Sequence, residues 1–325
     1  MLEGRGGRGT KAEDARALAA TIRTSVGTAV VGRTEALDAI LTGLVADGHL
    51  LIEDLPGLGK TLMAKSFAAA LGLEFQRIQF TADLLPHDIT GSDMLDTAKG
   101  EFHFRRGPIF ANVVLADEIN RAPPKVQSSL LEAMQEYQVT SERSTYRLPR
   151  PFLVLATENP LELEGTYPLP EAQVDRFLMR LRVGYPTPEE ERSILERRRA
   201  RKEEDVVVAT VTTLAQFQDL QRAVEEVELE SSMAGYIVDL VRATRADSRA
   251  EVGASPRGSL ALQKLSRARA LLDGRDYVLP DDIKALAIPA LAHRVLVKPE
   301  PWIRGVRGEE IVRTAVDRTP VPKVA

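Results

Sequence analysis

The chain has 325 residues, 44% hydrophobic and 28% charged, which is room for about two globular domains with a sizeable core. A net charge of −4 leaves no global basic field to draw it to nucleic acid, and the lack of cysteine excludes disulfides and thiol chemistry. No apolar run approaches the roughly 18 residues of a membrane helix, and the basic start has no apolar segment behind it, so a cytoplasmic location is expected.

Residues 1–11, MLEGRGGRGTK, are read as a disordered tail, with a short nucleic-acid-binding arm as the alternative. Glu13–Val26 predicts a helix, with Leu18, Ile22 and Val26 on one stripe. An apolar turn, Val30-Val31-Gly32, leads to a helix over Thr34–Val45, with Thr34 as its N-cap. The first βα unit runs from His49 to Leu71. Strands are expected at Glu74–Phe80, Phe110–Ala116, Phe152–Thr157 and Phe177–Val183, with a helix over Pro123–Gln135. Strands alternating with helices argue a parallel sheet covered on both faces. Beyond Pro186 and Pro188 the pattern turns helical: Glu189–Lys202, Ser232–Ala246, Arg257–Asp273 and Asp281–Leu291. The expected organisation is a tail (1–11), an α/β nucleotide-binding domain (12–185) and a helical domain (186–325). The basic run Glu196–Lys202 is read as a solvated helix face.

Two motifs carry chemistry. DLPGLGKT at Asp54–Thr61 follows the apolar Leu50-Leu51-Ile52 and opens a helix. Gly57 and Gly59 let backbone N–H groups approach phosphates, and the helix presents its positive end to the anion. Pro56, Leu58 and Leu62 complete the segment around them. Lys60 is placed to reach the β- and γ-phosphates and Thr61 to put a hydroxyl on Mg2+. Asp54 stands where this pattern has its first glycine. Downstream, Val113-Val114-Leu115-Ala116 runs into Asp117-Glu118. A buried strand ending in two acids allows a division of labour, in which Asp117 holds a hydrated Mg2+ while Glu118 orients the attacking water. Together the motifs imply hydrolysis of a nucleoside triphosphate. The four histidines show no metal-ligand spacing and are read as structural.

With these in place the sequence resembles the MoxR family of AAA+ ATPases. The matching stretches are VVGR at Val30–Arg33, LIEDLPGLGKT at Leu51–Thr61 and QFTADLLPHDITG at Gln79–Gly91. Further on come GPIFANVVLADEINRAPPKVQSSLLEAMQE at Gly107–Glu136, ATENP at Ala156–Pro160, EGTYPLPEAQVDRF at Glu164–Phe177 and GASPRGSLAL at Gly253–Leu262. Asp54 is usual in that family. The resemblance implies a P-loop core with a helix-2 insert (Thr81–Arg106) and a hairpin before the sensor strand (Tyr137–Arg150), followed by a small helical lid. It implies a homo-oligomer, a hexameric or similar ring, with ATP between subunits.

It also assigns roles. Asn159 matches the first sensor, an amide to γ-phosphate and lytic water; a turn residue before Pro160 is the alternative. Arg176 resembles the arginine finger, against an ion pair with Asp175 or a nearby acid, and Arg180 and Arg182 are further candidates on the same segment. Arg257 matches the second sensor, acting in its own subunit or a neighbour's. Val30, Val31 and Gly32 would lie against adenine, although two valines pack anywhere. Arg121 is distinctive of the family without an assigned role. Phe102, His103 and Phe104 offer either a substrate-contacting tip or packing. The work implied is chaperone-like remodelling or maturation of partner complexes, such as metal-cofactor insertion, with partners that carry a von Willebrand factor A domain. A nucleic-acid motor is the alternative, disfavoured by the acidic charge. A small-molecule kinase has no use for a water-orienting Glu118, and no Asn-Lys-x-Asp guanine motif occurs.

Overall fold

The computed structural model describes residues 6–141, 144–160, 165–203 and 205–322. In chain order the first part contains α1 (Gly6–Gly27), α2 (Thr34–Val45), β1 (Leu50–Glu53), α3 (Lys60–Ala70), β2 (Phe75–Gln79) and α4 (Pro86–Thr90). Next come β3 (Gly91–Asp96), β4 (Glu101–Arg106), β5 (Val113–Asp117), α5 (Pro124–Glu136), β6 (Gln138–Thr140), β7 (Thr145–Arg147), β8 (Leu153–Glu158), α6 (Glu171–Val174) and β9 (Met179–Leu181). The second part contains α7 (Pro188–Arg201), α8 (Leu214–Glu226), α9 (Ser231–Ala246), β10 (Ala250–Val252), α10 (Pro256–Leu272), α11 (Pro280–Leu291), β11 (Leu296–Val297), α12 (Pro299–Ile303) and α13 (Gly308–Arg318).

Five strands form one parallel sheet in the order β2-β5-β8-β1-β9. Successive side chains on a strand point to opposite faces, and the apolar residues divide accordingly. Leu50, Ile52, Val113, Leu115, Leu153 and Leu155 face one core, shared with α1, α2, α3 and the C-terminal helices. Leu51, Val114, Ala116, Val154 and Ala156 face another, closed by α5 through Val126, Leu130, Leu131 and Met134. Strands buried on both faces are continuous apolar runs for this reason. Each fully buried leucine contributes about 1.5–3 kcal/mol relative to an exposed one.

Several expectations are corrected. Of the residues expected as a tail, 6–11 are helical, since α1 begins at Gly6, while residues 1–5 lie outside the described residues. Small residues explain the helix, because Ala12, Ala15 and Ala19 bury at helical spacing ahead of Ile22 and Val26, and Lys11 pairs with Glu226 of α8 at 3.1 Å. Thr34 is not the N-cap of α2. Arg33 takes that position with φ 56° and makes no side-chain cap, so Thr34 is the first helical residue. The fifth strand is trimmed to Met179–Leu181. Helix α8 falls outside the expected elements; its Thr213–Gln216 capping box and its buried Phe217, Leu220 and Val224 are the signals that mark it. The lid is not purely helical, since β10 and β11 pair antiparallel within it.

Both inserts contain a hairpin: in the first α4 leads into β3 paired with β4, and in the second β6 pairs β7. Phe104 stacks on Tyr146, centroids 4.0 Å apart, which joins the two. Phe104 therefore packs, whereas Phe102 is 48% exposed. Helix α7 has no buried residue. It is held through Arg197, which donates to the carbonyl of Gly27 at 2.7 Å. After it the chain crosses back over the core, where Val211 N–H donates to Ala70 O at 2.9 Å, before entering the lid.

Candidate functional site

In a parallel sheet all strands end at one edge, and the order β5-β8-β1 sets three carboxyl ends side by side. The loop after β1 carries Asp54–Gly59, β5 ends in Asp117-Glu118, and Asn159 follows β8. The loop is built for anions. Gly57 and Gly59 have φ of 81° and 80°, and a Cβ at Gly57 would meet no protein atom within 4 Å, so a side chain there would fill the open space above the loop. Helix α3 begins at Lys60 and directs its free N–H groups at that space. Lys60, 9% exposed, donates to the carbonyls of Asp54 at 2.5 Å and Leu55 at 3.1 Å. Burial lowers its ammonium from the ordinary value, and Asp54, Asp117 and Glu118 oppose that shift.

Asp54 acts as a tie. Its carboxylate accepts from the N–H groups of Val183 at 2.7 Å and Gly184 at 2.6 Å. That joins the start of the loop to the exit of β9, which a glycine could not do. Arg33, donating to Leu58 O, and Glu190, accepting from Arg33 N–H at 3.2 Å, link the Val30-Val31-Gly32 turn to the loop and to α7. Val30 is buried, and Gly32 has φ 66° with the Glu190 side chain where its Cβ would be.

The acids are held by neighbours that the sequence did not reveal. Thr157 of β8 donates its hydroxyl to Asp117 Oδ1 at 2.6 Å and accepts the Glu118 N–H at 2.8 Å. Arg77 of β2 donates twice to Asp117 Oδ2, at 3.0 and 2.7 Å. Gln79 and Arg121 both donate to Glu118 Oε2, at 2.9 and 3.1 Å, which gives Arg121 a place. Glu118 itself is left-handed, φ 57° and ψ 50°, a conformation that costs an ordinary residue roughly 1–2 kcal/mol. The hydroxyl beneath it and the two donors beyond it impose that geometry.

Asp117 and the Thr61 hydroxyl supply hard oxygen donors of the type a hydrated Mg2+ takes. Arg77 and Thr157 occupy part of the Asp117 carboxylate, so its remaining lone pairs suit contact through a water. Among the described residues no three His, Cys, Asp or Glu gather to hold a metal alone; a cation here would lean on the phosphates.

The profile of the ATPase family associated with various cellular activities (AAA) matches residues 49–179, and that of the AAA lid domain residues 242–315. The uncharacterized protein YeaC of Bacillus subtilis is 47% identical over 90% of this chain and 91% of its own. Chaperone MoxR1 of Mycobacterium tuberculosis is 40% identical over 91% of this chain and 80% of its own. The chain belongs to the MoxR family of AAA+ ATPases. A crystal structure from Cytophaga hutchinsonii superimposes with a TM-score of 0.90 at 40% identity, covering 97% of this chain and 98% of that one. As a MoxR-family AAA+ protein the chain is an ATP hydrolase with an α/β core and a lid.

The other residues expected at the site of this MoxR-family protein lie elsewhere. Arg176 follows α6 and precedes β9, and Arg257 opens α10. Both line a cavity of about 300 Å³ together with Asp47, Gly48 and His49, which lead into β1. They therefore sit at the amino edge of the sheet, whereas the phosphate loop leaves the carboxyl edge. The ion pair weighed for Arg176 is made by others: Asp175 bonds Arg294 at 2.8 Å, and Arg257 lies 3.6 Å away. A cavity of about 550 Å³ between α2, β9 and the lid includes none of the phosphate-loop residues. His49 and His293 are buried. His49 Nε2 lies 3.0 Å from Met134 O and Nδ1 accepts from Val154 N–H at 3.1 Å; burial takes its pKa down to about 4. Among the described residues no helix is long and apolar enough to cross a membrane.

Proposed function

We propose that this ATPase works as a homo-oligomeric ring, hexameric by its resemblance, in which each Mg2+-ATP is held by one subunit and fired by the next. One observation carries the reading: the phosphate loop and the two candidate triggering arginines stand at opposite ends of β1. Four residues of strand span roughly 13 Å, so Arg176 and Arg257 stand away from their own subunit's phosphate loop, at the end of the strand opposite to it. A cavity that presents both guanidiniums, with Lys264 beside them, suits the phosphate of a neighbour. This favours Arg257 acting in trans.

Within one site Lys60 and the loop amides bind the β- and γ-phosphates. Asp117 and Thr61 hold Mg2+, which supplies charge neutralisation when bound. Glu118, set by Thr157, Gln79 and Arg121, orients and polarises the lytic water, and Asn159 holds water and phosphate in register. Arg176 from the neighbour compensates the charge that grows in the transition state, and a guanidinium does this without losing its own charge.

The work done is chaperone-like remodelling of partner complexes in the cytoplasm. The support is the name of the Mycobacterium relative, Chaperone MoxR1, and the joined hairpins that project the exposed Phe102. A von Willebrand factor A domain protein as partner, and metal-cofactor insertion as the purpose, rest on the resemblance alone. The test of the shared site is mixing. Arg176→Ala and Lys60→Ala proteins are each inactive, and their mixture regains ATPase because some interfaces pair an intact loop with an intact arginine. A mixture as inactive as its parents rules the shared site out. Affinity capture on Glu118→Gln protein in ATP identifies the client, and strong stimulation of ATPase by DNA would replace remodelling of proteins with a nucleic-acid motor.

A further inference from the structure

The residue before Arg176 is gripped by the lid. Arg294 follows α11, and its side chain is only 3% exposed. Its Nε donates to Asp175 Oδ1 at 2.8 Å, and its Nη2 donates to the carbonyls of Asp175 at 3.1 Å and Phe177 at 2.8 Å. Its Nη1 donates to Leu178 O at 3.4 Å and to Ala290 O. One guanidinium thus fixes the backbone on both sides of Arg176 and the side chain next to it. At the start of α10, the N-cap Ser255 has its Oγ 3.4 Å from Asp175 Oδ2, and Arg257 Nη1 lies 3.6 Å from the same oxygen. Asp175 is therefore the point where two lid elements meet the segment that carries Arg176.

We propose that Asp175 and Arg294 are positioning residues that carry the angle of each subunit's lid to its Arg176, and so to the neighbour's ATP. The physical case rests on rigidity. A planar guanidinium with five donors in a fixed fork transmits rotation as well as translation, whereas an ammonium on a flexible stem does not. Arg176 and Arg257 share one anchor, so a lid movement shifts both together and preserves their spacing. Arg294 is nearly enclosed, and Asp175 gives its charge a partner in the interior. The inference rests on Arg176 acting in trans.

The experiment uses the full-length protein and the same mixing design. Asp175→Asn keeps the size of the side chain and removes its charge; Arg294→Lys keeps the charge and removes the fork. Each is expected to lower kcat by about 10- to 100-fold, the effect of misplacing a catalytic group by an ångström or so, while KM for ATP stays within about twofold. Mixed with Lys60→Ala subunits, each recovers ATPase as Arg176→Ala does, because the defect lies in the arginine offered and not in the loop. Recovery by Arg176→Ala but not by Asp175→Asn overturns the positioning role and leaves the trans arginine standing. Recovery by neither removes both. Thermal melting identifies a variant that fails to fold; if Arg294→Lys is lost that way, Asp175→Asn, whose side chain is 21% exposed, decides alone.

Discussion

Thr157 shows how one hydroxyl can order a pair of acids. It gives its proton to Asp117 and takes the N–H of Glu118, so it fixes both carboxylates relative to the sheet. Thr157→Val keeps the shape and leaves two buried polar groups unmet, at a cost of about 1–3 kcal/mol; the urea midpoint should fall and kcat with it, while Thr157→Ser restores both. Glu118→Gln keeps ATP affinity and reduces turnover about 10²–10⁴-fold, the usual contribution of a positioned base. Near-normal single-turnover rates would remove Glu118 from its role. The phosphate loop and the acids were legible as words in the sequence because each motif is a continuous run of residues. Thr157, Arg77 and Gln79 were not, since they reach Asp117 and Glu118 only through the strand order β2-β5-β8. Each stands about forty positions from its partner, and nothing in the local pattern states which strands are neighbours.

At the scale of elements, parallel pairing sets Glu53 of β1 opposite Glu158 of β8. Arg182 and Arg180 lie 3.2 and 3.6 Å from Glu53, whereas burial first, and then Glu53 itself, raises Glu158 to about 7. A carboxyl raised in the fold favours folding while it is neutral in both states. That contribution is complete below its ordinary value of 4.5 and is lost as pH rises through about 7. Glu158→Gln should therefore melt above wild type at pH 8 and draw level with it only below about pH 4; a constant difference across that range refutes the assignment. His49 has the opposite sign. Its pKa is depressed from 6.5 to about 4, so its contribution is present above the former and lost as pH falls through the latter. Element types were largely readable because strands buried on both faces are unbroken apolar runs and the longer helices carry a 3.6-residue stripe. Helix α8 is harder to see in the chain, although its capping box is written there, because polar residues interrupt its narrow buried stripe. The reach of α1 back to Gly6 was hidden because glycines argue against helix and the alanines that bury declare little.

The whole molecule has two poles, and β1 is the axis between them. If Arg257 serves the neighbour, Arg257→Ala should behave in mixtures as Arg176→Ala does, recovering with Lys60→Ala subunits; recovery for Arg176→Ala alone would return Arg257 to its own subunit. The lid belongs to both poles, since its core is continuous with one face of the sheet while Arg294 holds the segment before β9. A unit that gives at one end and receives at the other, as proposed above, would be joined head to tail, which closes a circle or runs on as a filament. Inheritance in a mixed population follows from that polarity. In an equal mixture, a chain defective at one pole leaves roughly half of all sites intact, whereas a chain carrying Lys60→Ala and Arg176→Ala together leaves roughly a quarter, because both contributors must be whole. In the proposed ring a doubly broken copy would thus be a poison to its normal siblings, and its dominance would be set by four residues of strand.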